Sequence, residues 1–562
     1  MMRPYLTIVQ ALEHNAGRRD SGFTHVAAGS TRFGSFHELH RNAARIAKAL
    51  QHHGFARGDR LGLILSDSRE FVDSLFGAFL AGVVAVPLSF PVIGKPDAYL
   101  RRLVPTVAKA RTRLVLIDVG LRSFLTSGPR DLHLGATSTL DELCSEIEEE
   151  PSYAASDVRP DDSAVLQFTS GSTSEPKGVR VSHGNLVANV HAMSVALQCN
   201  PTDYSISWLP LFHDMGLIAK VLMPLYVGMR GGLFMSPRLF LEDPISWLRQ
   251  ISQRRGTLTF APNFAYSLTA ARATETAVRA LDLSCLRVAA CAAEPIRFQV
   301  LSSFANAFAP CGLRPEALVP CYGLAEHTLG ATISPYGTGV TVDEISATDL
   351  THGFAVPSRA EPGRSHDVVH VVSCGRFLVG HAGKIVDPSG VELPERALGE
   401  IWLHGPSVMQ DYFEDPTSTD ATLTNGWLRT GDLGYLANGN LYVCGRAKDV
   451  IILYGRKYHP QDLEWEAEQV AGIRPGCVVA FGRENPALGR DEVIVAAETK
   501  LPSERYEELQ ALIRGRLRQE LVITVDEVHL VPPHTLPKTS SGKLQRSSAR
   551  ALFPRHLQPQ AK

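Results

Sequence analysis

Short apolar runs alternate with amphipathic stretches along most of the chain. One amphipathic stretch contains Leu186, Val190, Met193 and Leu197, whose spacing is that of a single helical face. The apolar runs have the length of buried strands, and they lie at residues 60–65, 114–117, 164–168 and 286–290. This alternation predicts an α/β fold in which helices pack on a largely parallel sheet.

The most apolar stretch of the chain is residues 74–88. It contains Gly82, and Pro87 is its next-to-last residue. A membrane-spanning helix needs about 20 apolar residues, and this stretch is shorter. We therefore predict a buried helix, a turn at Gly82 and a buried strand. A membrane anchor is the weaker alternative, and we expect no membrane span.

The pattern changes near residue 446, where residues 445–449 separate two strand-like runs. Beyond this point the chain has its own strands and an amphipathic helix, marked by 478–481, 493–496, Tyr506, Leu509, Ile513 and Leu517. We therefore predict two domains, a large α/β body of residues 1–445 and a small α+β domain of residues 446–562.

The composition excludes several classes of protein. Of 562 residues, 44% are hydrophobic and 20% are charged, so the chain is neither disordered nor a coiled coil. The net charge of −2 argues against binding nucleic acid through bulk charge. Nine cysteines without a C-x-x-C spacing favour a reducing cytoplasm over a disulfide framework or a zinc ribbon. The first residues show no signal segment, so we expect a cytoplasmic protein.

A loop rich in hydroxyl side chains, TSGSTSEPKG at 169–178, follows the strand predicted at 164–168. Its hydroxyls and backbone N–H groups can surround a polyphosphate, and Lys177 adds a positive charge. Its spacing is not that of a Walker A loop, which argues against a P-loop kinase or ATPase. A flexible Ser/Gly linker is the alternative interpretation of this segment.

Four further segments carry side chains suited to a nucleotide. YGLAE (322–326) places an aromatic ring and a carboxylate on one loop, and TGD (430–432) places a carboxylate at a glycine turn. GRAKD (445–449) lies at the predicted domain boundary, and PKTSSGK (537–543) lies near the C-terminus. Each segment alone is a weak signal, because most such sequences are only turns. Their order and separation together are highly specific.

With these motifs the chain resembles the adenylate-forming superfamily of acyl-CoA synthetases, peptide-synthetase adenylation domains and luciferases, over nearly its whole length. It is most similar to the fatty acyl-AMP ligases. Segment 322–326 reads YGLAE where acyl-CoA synthetases more often have YGxTE, and 455–464 (GRKYHPQDLE) resembles the ligase motif. About 48 residues separate Glu326 from Cys374, which matches the extra segment of these ligases. We place that segment at roughly 333–372, with an ordinary surface-loop insertion as the alternative.

The resemblance implies an ATP-binding set made of Thr169, Ser170, Gly171, Ser172, Thr173, Lys177, Ala293, Glu294, Pro295, Tyr322, Gly323, Asp432 and Arg446. Within this set, the loop 169–178 would hold the β- and γ-phosphates. Tyr322 would stack on adenine, whose polar edge would lie near 293–295. Asp432 would accept the ribose hydroxyls, with the help of Arg446.

The resemblance also implies residues for catalysis and movement. Glu326 would bind Mg²⁺, a cation that prefers oxygen ligands. Lys543 would be the catalytic lysine, reaching from the C-terminal domain to stabilise charge between the carboxylate and the α-phosphate. His213 would lie where these two groups meet, with a buried structural histidine as the alternative. Lys448 or Asp449 would be the hinge of a rotating C-terminal domain.

The function implied is activation of a medium- or long-chain fatty acid with ATP and Mg²⁺ to an acyl-adenylate. In the ligases the extra segment restricts domain rotation. The acyl group would therefore pass to the phosphopantetheine thiol of an acyl carrier protein, in polyketide, nonribosomal peptide or lipid biosynthesis. A fatty acyl-CoA synthetase is the main alternative, and a non-catalytic nucleotide-binding scaffold is a weaker one. Arg514, Arg516 and Arg518 could meet an acidic carrier, although a solvated basic face is the favoured interpretation.

Overall fold

The computed structural model describes residues 4–27, 29–90, 96–126, 132–148, 157–169, 176–358, 368–453, 456–485, 490–521, 523–538 and 544–554. Its helices are α1 Ile8–Asn15, α2 Phe36–His52, α3 Ser68–Ala81, α4 Pro96–Ala110, α5 Val119–Thr126, α6 Leu140–Leu143, α7 His183–Ala196, α8 Asp214–Leu217, α9 Met223–Val227, α10 Pro237–Glu242, α11 Ile245–Arg254, α12 Asn263–Ala270, α13 Glu275–Arg279, α14 Phe298–Phe308, α15 Ala347–Thr351, α16 Pro416–Thr422, α17 Pro460–Glu468, α18 Tyr506–Leu521 and α19 Arg546–Leu552. A π-helical segment, Ile218–Leu222, joins α8 to α9.

The strands are β1 Gly22–Ala27, β2 Ser30–Ser35, β3 Arg60–Ile64, β4 Val84–Pro87, β5 Leu114–Ile117, β6 Thr137–Ser138, β7 Ser163–Thr169, β8 Lys177–Ser182, β9 Tyr204–Ser207, β10 Gly231–Met235, β11 Leu258–Ala261, β12 Val288–Cys291, β13 Leu318–Gly323, β14 Gly330–Ile333, β15 Val342–Ser346, β16 Val368–Val372, β17 Arg376–Phe377, β18 Ala382–Val386, β19 Gly399–His404, β20 Asp411–Tyr412, β21 Leu423–Thr424, β22 Trp427–Ala437, β23 Asn440–Arg446, β24 Ile451–Leu453, β25 Arg456–Tyr458, β26 Ile473–Asn485, β27 Arg490–Thr499 and β28 Glu527–Val531.

A seven-stranded sheet contains the strand that leads into the 169–178 loop. Its order is β20-β8-β7-β4-β3-β5-β6, with β7 to β6 parallel and β8 and β20 antiparallel at one edge. The strands predicted at 60–65, 114–117 and 164–168 are confirmed as β3, β5 and β7. Gly82 ends α3 with a left-handed φ of +71°, and β4 follows it, which confirms the prediction for 74–88.

A nine-stranded sheet provides most of the loops around the candidate site. Its order is β17-β14-β13-β12-β11-β9-β10-β1-β2, parallel from β13 to β1 and antiparallel at both edges. The carboxyl ends of its parallel strands therefore meet at one edge, where α/β proteins bind ligands. The strand predicted at 286–290 is β12, which spans Val288–Cys291 and therefore begins two residues later than expected.

A five-stranded antiparallel sheet was not anticipated from the alternating pattern. It consists of β18, β19, β22, β21 and β23. The predicted extra segment 333–372 contributes the antiparallel pair β15–β16, and Ile345 and Val371 of this pair pack with Tyr435 and Tyr442 of β22 and β23. The described part of the segment is therefore packed on the protein and is more than an extended surface loop.

The C-terminal residues form a further layer with its own apolar core. Strands β26, β27 and β28 make a three-stranded sheet, and α17 and α18 pack on it. The helix marked in the sequence by Tyr506 and Leu517 is confirmed as α18. This layer contacts the rest of the protein through Arg297, which binds Asp462 at 2.9 Å and lies over the ring of Trp465.

The nine cysteines are all free thiols, and every one is buried or half-buried. Burial raises the pKa of each thiol, to about 11 for Cys144 and about 12 for Cys199 and Cys374. Within the described ranges, no helix combines the length and the hydropathy of a transmembrane span.

Candidate active site

The β7–β8 hairpin holds both ends of the predicted phosphate loop. Thr169 and Lys177 are opposite each other in the antiparallel pairing of these strands. The intervening predicted residues Ser170, Gly171, Ser172 and Thr173 lie outside the described residues. The amine of Lys177 lies 4.9 Å from the centre of the Tyr412 ring, a cation–π contact that fixes where this charge sits.

Tyr412 also contacts the predicted metal ligand. Its hydroxyl donates a hydrogen bond of 2.8 Å to Oε1 of Glu326, which lies in the 3₁₀ turn Ala325–His327. Burial and the nearby Glu326 carboxylate raise the pKa of Tyr412. Lys177 and Glu326 are therefore joined through one tyrosine that the motifs did not predict. No local sequence signal marks Tyr412, because its partner is 86 residues away in the chain.

Asp432 is the centre of a second group of predicted residues. The Tyr322 hydroxyl donates to Oδ2 of Asp432 at 2.7 Å, and Arg446 Nε lies 3.2 Å from Oδ1. Asp432 and Arg446 are directly opposite on β22 and β23, which explains their closeness. The side chain of Thr430 accepts a hydrogen bond from the backbone N–H of Asp432, so this carboxylate is held rigidly. Burial and Asp432 raise the pKa of Tyr322.

The residues predicted beside adenine follow strand β12. Because β12 is next to β13, the segment 293–295 shares a sheet edge with Tyr322 and Gly323. Ala293 has a φ of +74°, a conformation that side-chain-bearing residues seldom adopt outside functional loops. At Gly323 a Cβ would lie 1.9 Å from the Leu329 carbonyl oxygen, so this turn requires glycine. Both features hold a tight backbone at the candidate nucleotide edge.

His213 lies where α8 begins, at the carboxyl end of β9. Its Nδ1 lies 2.6 Å from Oδ1 of Asp214, and a quarter of its side chain is exposed. It is therefore not the fully buried histidine of the alternative interpretation. Gln167 of β7 donates to the Phe212 carbonyl at 3.1 Å, which links the strand before the phosphate loop to the segment that carries His213.

The predicted hinge and catalytic lysine lie on the C-terminal side. Lys448 and Asp449 form a 3₁₀ turn directly after β23, and burial together with Arg446 lowers the pKa of Lys448. Nη1 of Arg546 donates to Asp449 at 2.7 Å. Lys543 lies outside the described residues, so its position is not compared with the other site residues.

The donor set fits magnesium that arrives with a nucleotide better than a resident metal. No group of three or more His, Cys, Asp or Glu side chains suited to a metal occurs in the described part of the chain. Glu326 offers one carboxylate, and Mg²⁺ in nucleotide sites is held by one or two carboxylates together with phosphate oxygens. Glu326 and the phosphates of ATP would therefore hold it jointly.

Comparison with known proteins shows which family the chain resembles. Residues 12–413 match the family model described as AMP-binding enzyme. A putative acyl-CoA synthetase of Caulobacter vibrioides is 35% identical, over 92% of this chain and 89% of that protein. The medium-chain-fatty-acid–[acyl-carrier-protein] ligase JamA of Moorena producens is 34% identical, over 92% of this chain and 89% of that protein.

A solved structure is similar over almost the whole length. It comes from work on fatty acyl-adenylate ligases of E. coli and L. pneumophila, and it covers 98% of both chains with a TM-score of 0.90 at 34% identity. The similarity therefore includes the C-terminal layer as well as the part matched by the family model.

Proposed function

This chain belongs to the AMP-binding enzyme family, and we propose that it is a fatty acyl-AMP ligase that supplies an acyl carrier protein. It activates a medium- or long-chain fatty acid with ATP, forming acyl-adenylate and pyrophosphate. It then transfers the acyl group to the phosphopantetheine thiol of the carrier, in polyketide, nonribosomal peptide or lipid biosynthesis. Activation to an acyl-adenylate is the part that the similar ligases support most directly.

The observation that carries the proposal is the joint placement of a nucleotide group and a phosphate–metal group. Tyr322, Asp432 and Arg446 form the first, in contact through the Asp432 carboxylate, which would accept hydrogen bonds from the ribose hydroxyls. Lys177 and Glu326 belong to the second, through Tyr412. Tyr322 and Glu326 belong to the same short segment, 322–326, so the two groups are connected by only a few residues of the chain.

The chemistry requires two anions to approach each other. The fatty acid carboxylate must reach the α-phosphate, and the site must neutralise their repulsion and hold them in line. Lys177 places positive charge at the phosphate loop, and His213 sits at the sheet edge where the carboxylate enters. Mg²⁺ on Glu326 would supply further neutralising charge. Lys543 would stabilise the charge that develops between carboxylate and phosphate, which raises kcat without tightening substrate binding.

The extra segment supports a carrier protein as the acceptor. Its pair β15–β16 packs on β22 and β23, and α15 lies beside β25 of the C-terminal layer. We propose that residues 446–562 act as a cap domain that turns at Lys448 or Asp449, and that this packing limits the turn. The relative JamA is named for transfer to an acyl carrier protein, whereas the Caulobacter relative is named as an acyl-CoA synthetase. CoA therefore remains the competing acceptor.

The proposal can be tested by incubating the purified protein with ATP, Mg²⁺, a fatty acid and either CoA or a holo acyl carrier protein. Pyrophosphate release and acyl-carrier formation are expected, with little acyl-CoA. Efficient acyl-CoA formation would overturn the choice of acceptor, and absence of acyl-adenylate with all acids tested would overturn the proposed activity.

The Lys543→Ala variant tests the catalytic lysine. Loss of one charge-stabilising contact should lower the rate of adenylate formation at least about 100-fold. Lys500→Ala is the matched control, because Lys500 is an exposed lysine of the same C-terminal region. Near-normal adenylate formation by Lys543→Ala would show that this lysine is not catalytic.

A further inference from the structure

Arg297 joins the large body of the protein to its C-terminal layer. Its guanidinium donates from Nη1 to Oδ1 of Asp462 at 2.9 Å and from Nη2 to the carbonyl of Gln461 at 2.6 Å. It also lies 5.8 Å from the centre of the Trp465 ring. Two hydrogen bonds from one fork, together with the cation–π contact, fix the orientation of α17 relative to Arg297 more firmly than a single exposed ion pair could.

Helix α17, which carries these partners, packs on both parts of the protein. Leu463 and Ala467 belong to the apolar core of the C-terminal layer, whereas Trp465 packs against the core of the large body. The side chain of Arg297 is 19% exposed and that of Asp462 is 32% exposed, so their charges are partly shielded from water. A contact in this position holds the C-terminal layer against the body.

The same arginine lies two residues after the segment 293–295, where the polar edge of adenine is expected. Its backbone N–H donates to Oδ1 of Asn263 at 3.1 Å, and Asn263 is buried at the start of α12. The neighbouring Ile296 packs against the core of the body. The path from the candidate nucleotide edge to the contact with α17 is therefore short and anchored, so a shift of 293–295 would be passed on to the guanidinium.

Gln461 connects this contact to the predicted hinge. Its carbonyl accepts from Arg297, and its side-chain amide donates to the carbonyl of Cys444, which directly precedes residues 445–449. A Cβ at Gly445 would lie 2.5 Å from Nε2 of Gln461, so this close approach requires glycine. The Arg297 contact thus lies between the candidate nucleotide edge on one side and the predicted hinge on the other.

We propose that Arg297 is a positioning residue for adenylation, which holds the C-terminal layer in place when a nucleotide occupies the segment 293–295. Lys543 belongs to the same C-terminal region, so adenylation requires this region to be held against the body. Transfer to the carrier thiol follows a turn at Lys448 or Asp449, in which the Arg297 contact opens. This inference rests on the proposed function, because it assigns the contact to one of the two half-reactions proposed there.

The variant Arg297→Ala tests the proposal by separating the two half-reactions. Adenylation, followed as pyrophosphate release, should fall at least about tenfold, because the region that carries the lysine is no longer held in place. Transfer from a preformed acyl-adenylate to a holo acyl carrier protein should not fall. Arg297→Lys keeps the charge without the fork and should recover part of the adenylation rate.

Arg279→Ala is the matched control, because it breaks an exposed ion pair with Glu275 on the same body and should change neither rate. Equal changes in both half-reactions of Arg297→Ala, or unchanged adenylation, would overturn the proposal. If Arg297→Ala does not fold, Asp462→Asn removes the charge of the other partner and should lower adenylation in the same selective way.

Hydrogen exchange with AMP as the probe gives a readout that is independent of catalysis. Saturating AMP should increase the protection of α17 in the wild type and leave it unchanged in Arg297→Ala, since the contact couples the two sites. This result supports the inference even if no acid is adenylated, in which case only the proposed activity fails. Exchange of α17 that is the same with and without AMP in the wild type overturns the inference and leaves the activity intact.

Discussion

At the scale of single residues, Tyr412 has the largest effect on how the candidate site is organised. One side chain meets a predicted phosphate-binding lysine with its ring and a predicted metal ligand with its hydroxyl. A change at Tyr412 therefore alters the relative position of the two charges. Since the ring and the hydroxyl contact different partners, their contributions can be separated by substitution.

The variant Tyr412→Phe keeps the ring under Lys177 and removes the hydrogen bond to Glu326. A hydrogen bond to a charged group contributes about 1.5–3 kcal/mol, so kcat/KM for MgATP should fall about 10- to 100-fold. The Mg²⁺ concentration for half-maximal activity should rise, because Glu326 is no longer oriented. Steady-state kinetics at varied Mg²⁺ measures both effects.

Tyr435→Phe provides the control for this variant. The Tyr435 hydroxyl donates to a carboxylate, Asp343, at 2.9 Å, but this pair joins β22 to β15 of the extra segment. Its loss should lower thermal stability and leave the Mg²⁺ dependence unchanged. If the two variants have the same Mg²⁺ dependence, Tyr412 does not orient the metal ligand.

At the scale of elements, hydrophobic periodicity predicted the helices and strands whose burial can be inferred from residues close in sequence. The helix–turn–strand at 74–88 is clear from the sequence because Gly82 supplies a left-handed residue between two apolar runs. The long antiparallel strand β22 was less evident, whereas β23 corresponds to the strand-like run that precedes residues 445–449. The burial of β22 does not alternate regularly, and partners such as Asp432 and Arg446 are decided by register and not by any motif. The contact of Tyr412 with Glu326 likewise needs the fold.

Arg546 joins three elements of the C-terminal layer. It begins α19, directly after the segment that carries Lys543, and it binds Asp449 of the predicted hinge turn at 2.7 Å and Glu464 of α17 at 2.7 Å. Arg546→Ala should lower adenylation about tenfold or more, because the lysine segment and the turn are no longer held together. Hydrogen exchange should show reduced protection of α17 and α19, since both carboxylates lose their partner.

Two further substitutions serve as controls for this prediction. Arg546→Lys keeps the charge and should recover part of the activity, although a lysine cannot make the same forked contact. Arg505→Ala breaks an exposed ion pair with Glu508 and should change neither activity nor protection. Full activity with unaltered exchange in Arg546→Ala would show that the contact has no positioning role.

At the scale of the whole molecule, the near-neutral net charge gives no indication that several titratable groups are buried. Burial lowers the pKa of His25 and His183 to about 4 and of His327 to about 3, and it raises the pKa of Asp73 and Glu468 to about 7. Composition counts these groups but cannot tell which are buried. The sequence motifs identified the family and predicted the nucleotide residues, whereas burial and pairing required coordinates.

His183 gives a pH dependence with a definite sign. Its folded pKa, about 4, is below the unfolded value of 6.5, so its contribution to stability is complete above pH 6.5 and is lost as the pH falls toward 4. The loss at the low end is about 3 kcal/mol. The variant His183→Leu has no such titration, so the wild type should lose stability relative to it over this range.

Denaturant unfolding of both proteins between pH 7 and pH 4.5 measures this difference. Other titrating groups are common to both proteins and cancel. A difference in unfolding free energy that stays constant with pH would show that the imidazole of His183 is accessible to protons in the folded state.

The buried thiols matter once an activated acyl group is made. An acyl-adenylate acylates any thiolate within reach, yet all nine cysteines are buried or half-buried, and burial raises the pKa of each thiol, which disfavours the thiolate. The enzyme is thereby protected from acylating itself, and the acceptor's thiol has no internal competitor. The low reactivity of these native thiols is also useful for labelling experiments. A cysteine introduced at an exposed position of residues 446–562 would react faster with a fluorophore than the native thiols, so the proposed movement of these residues could be followed optically.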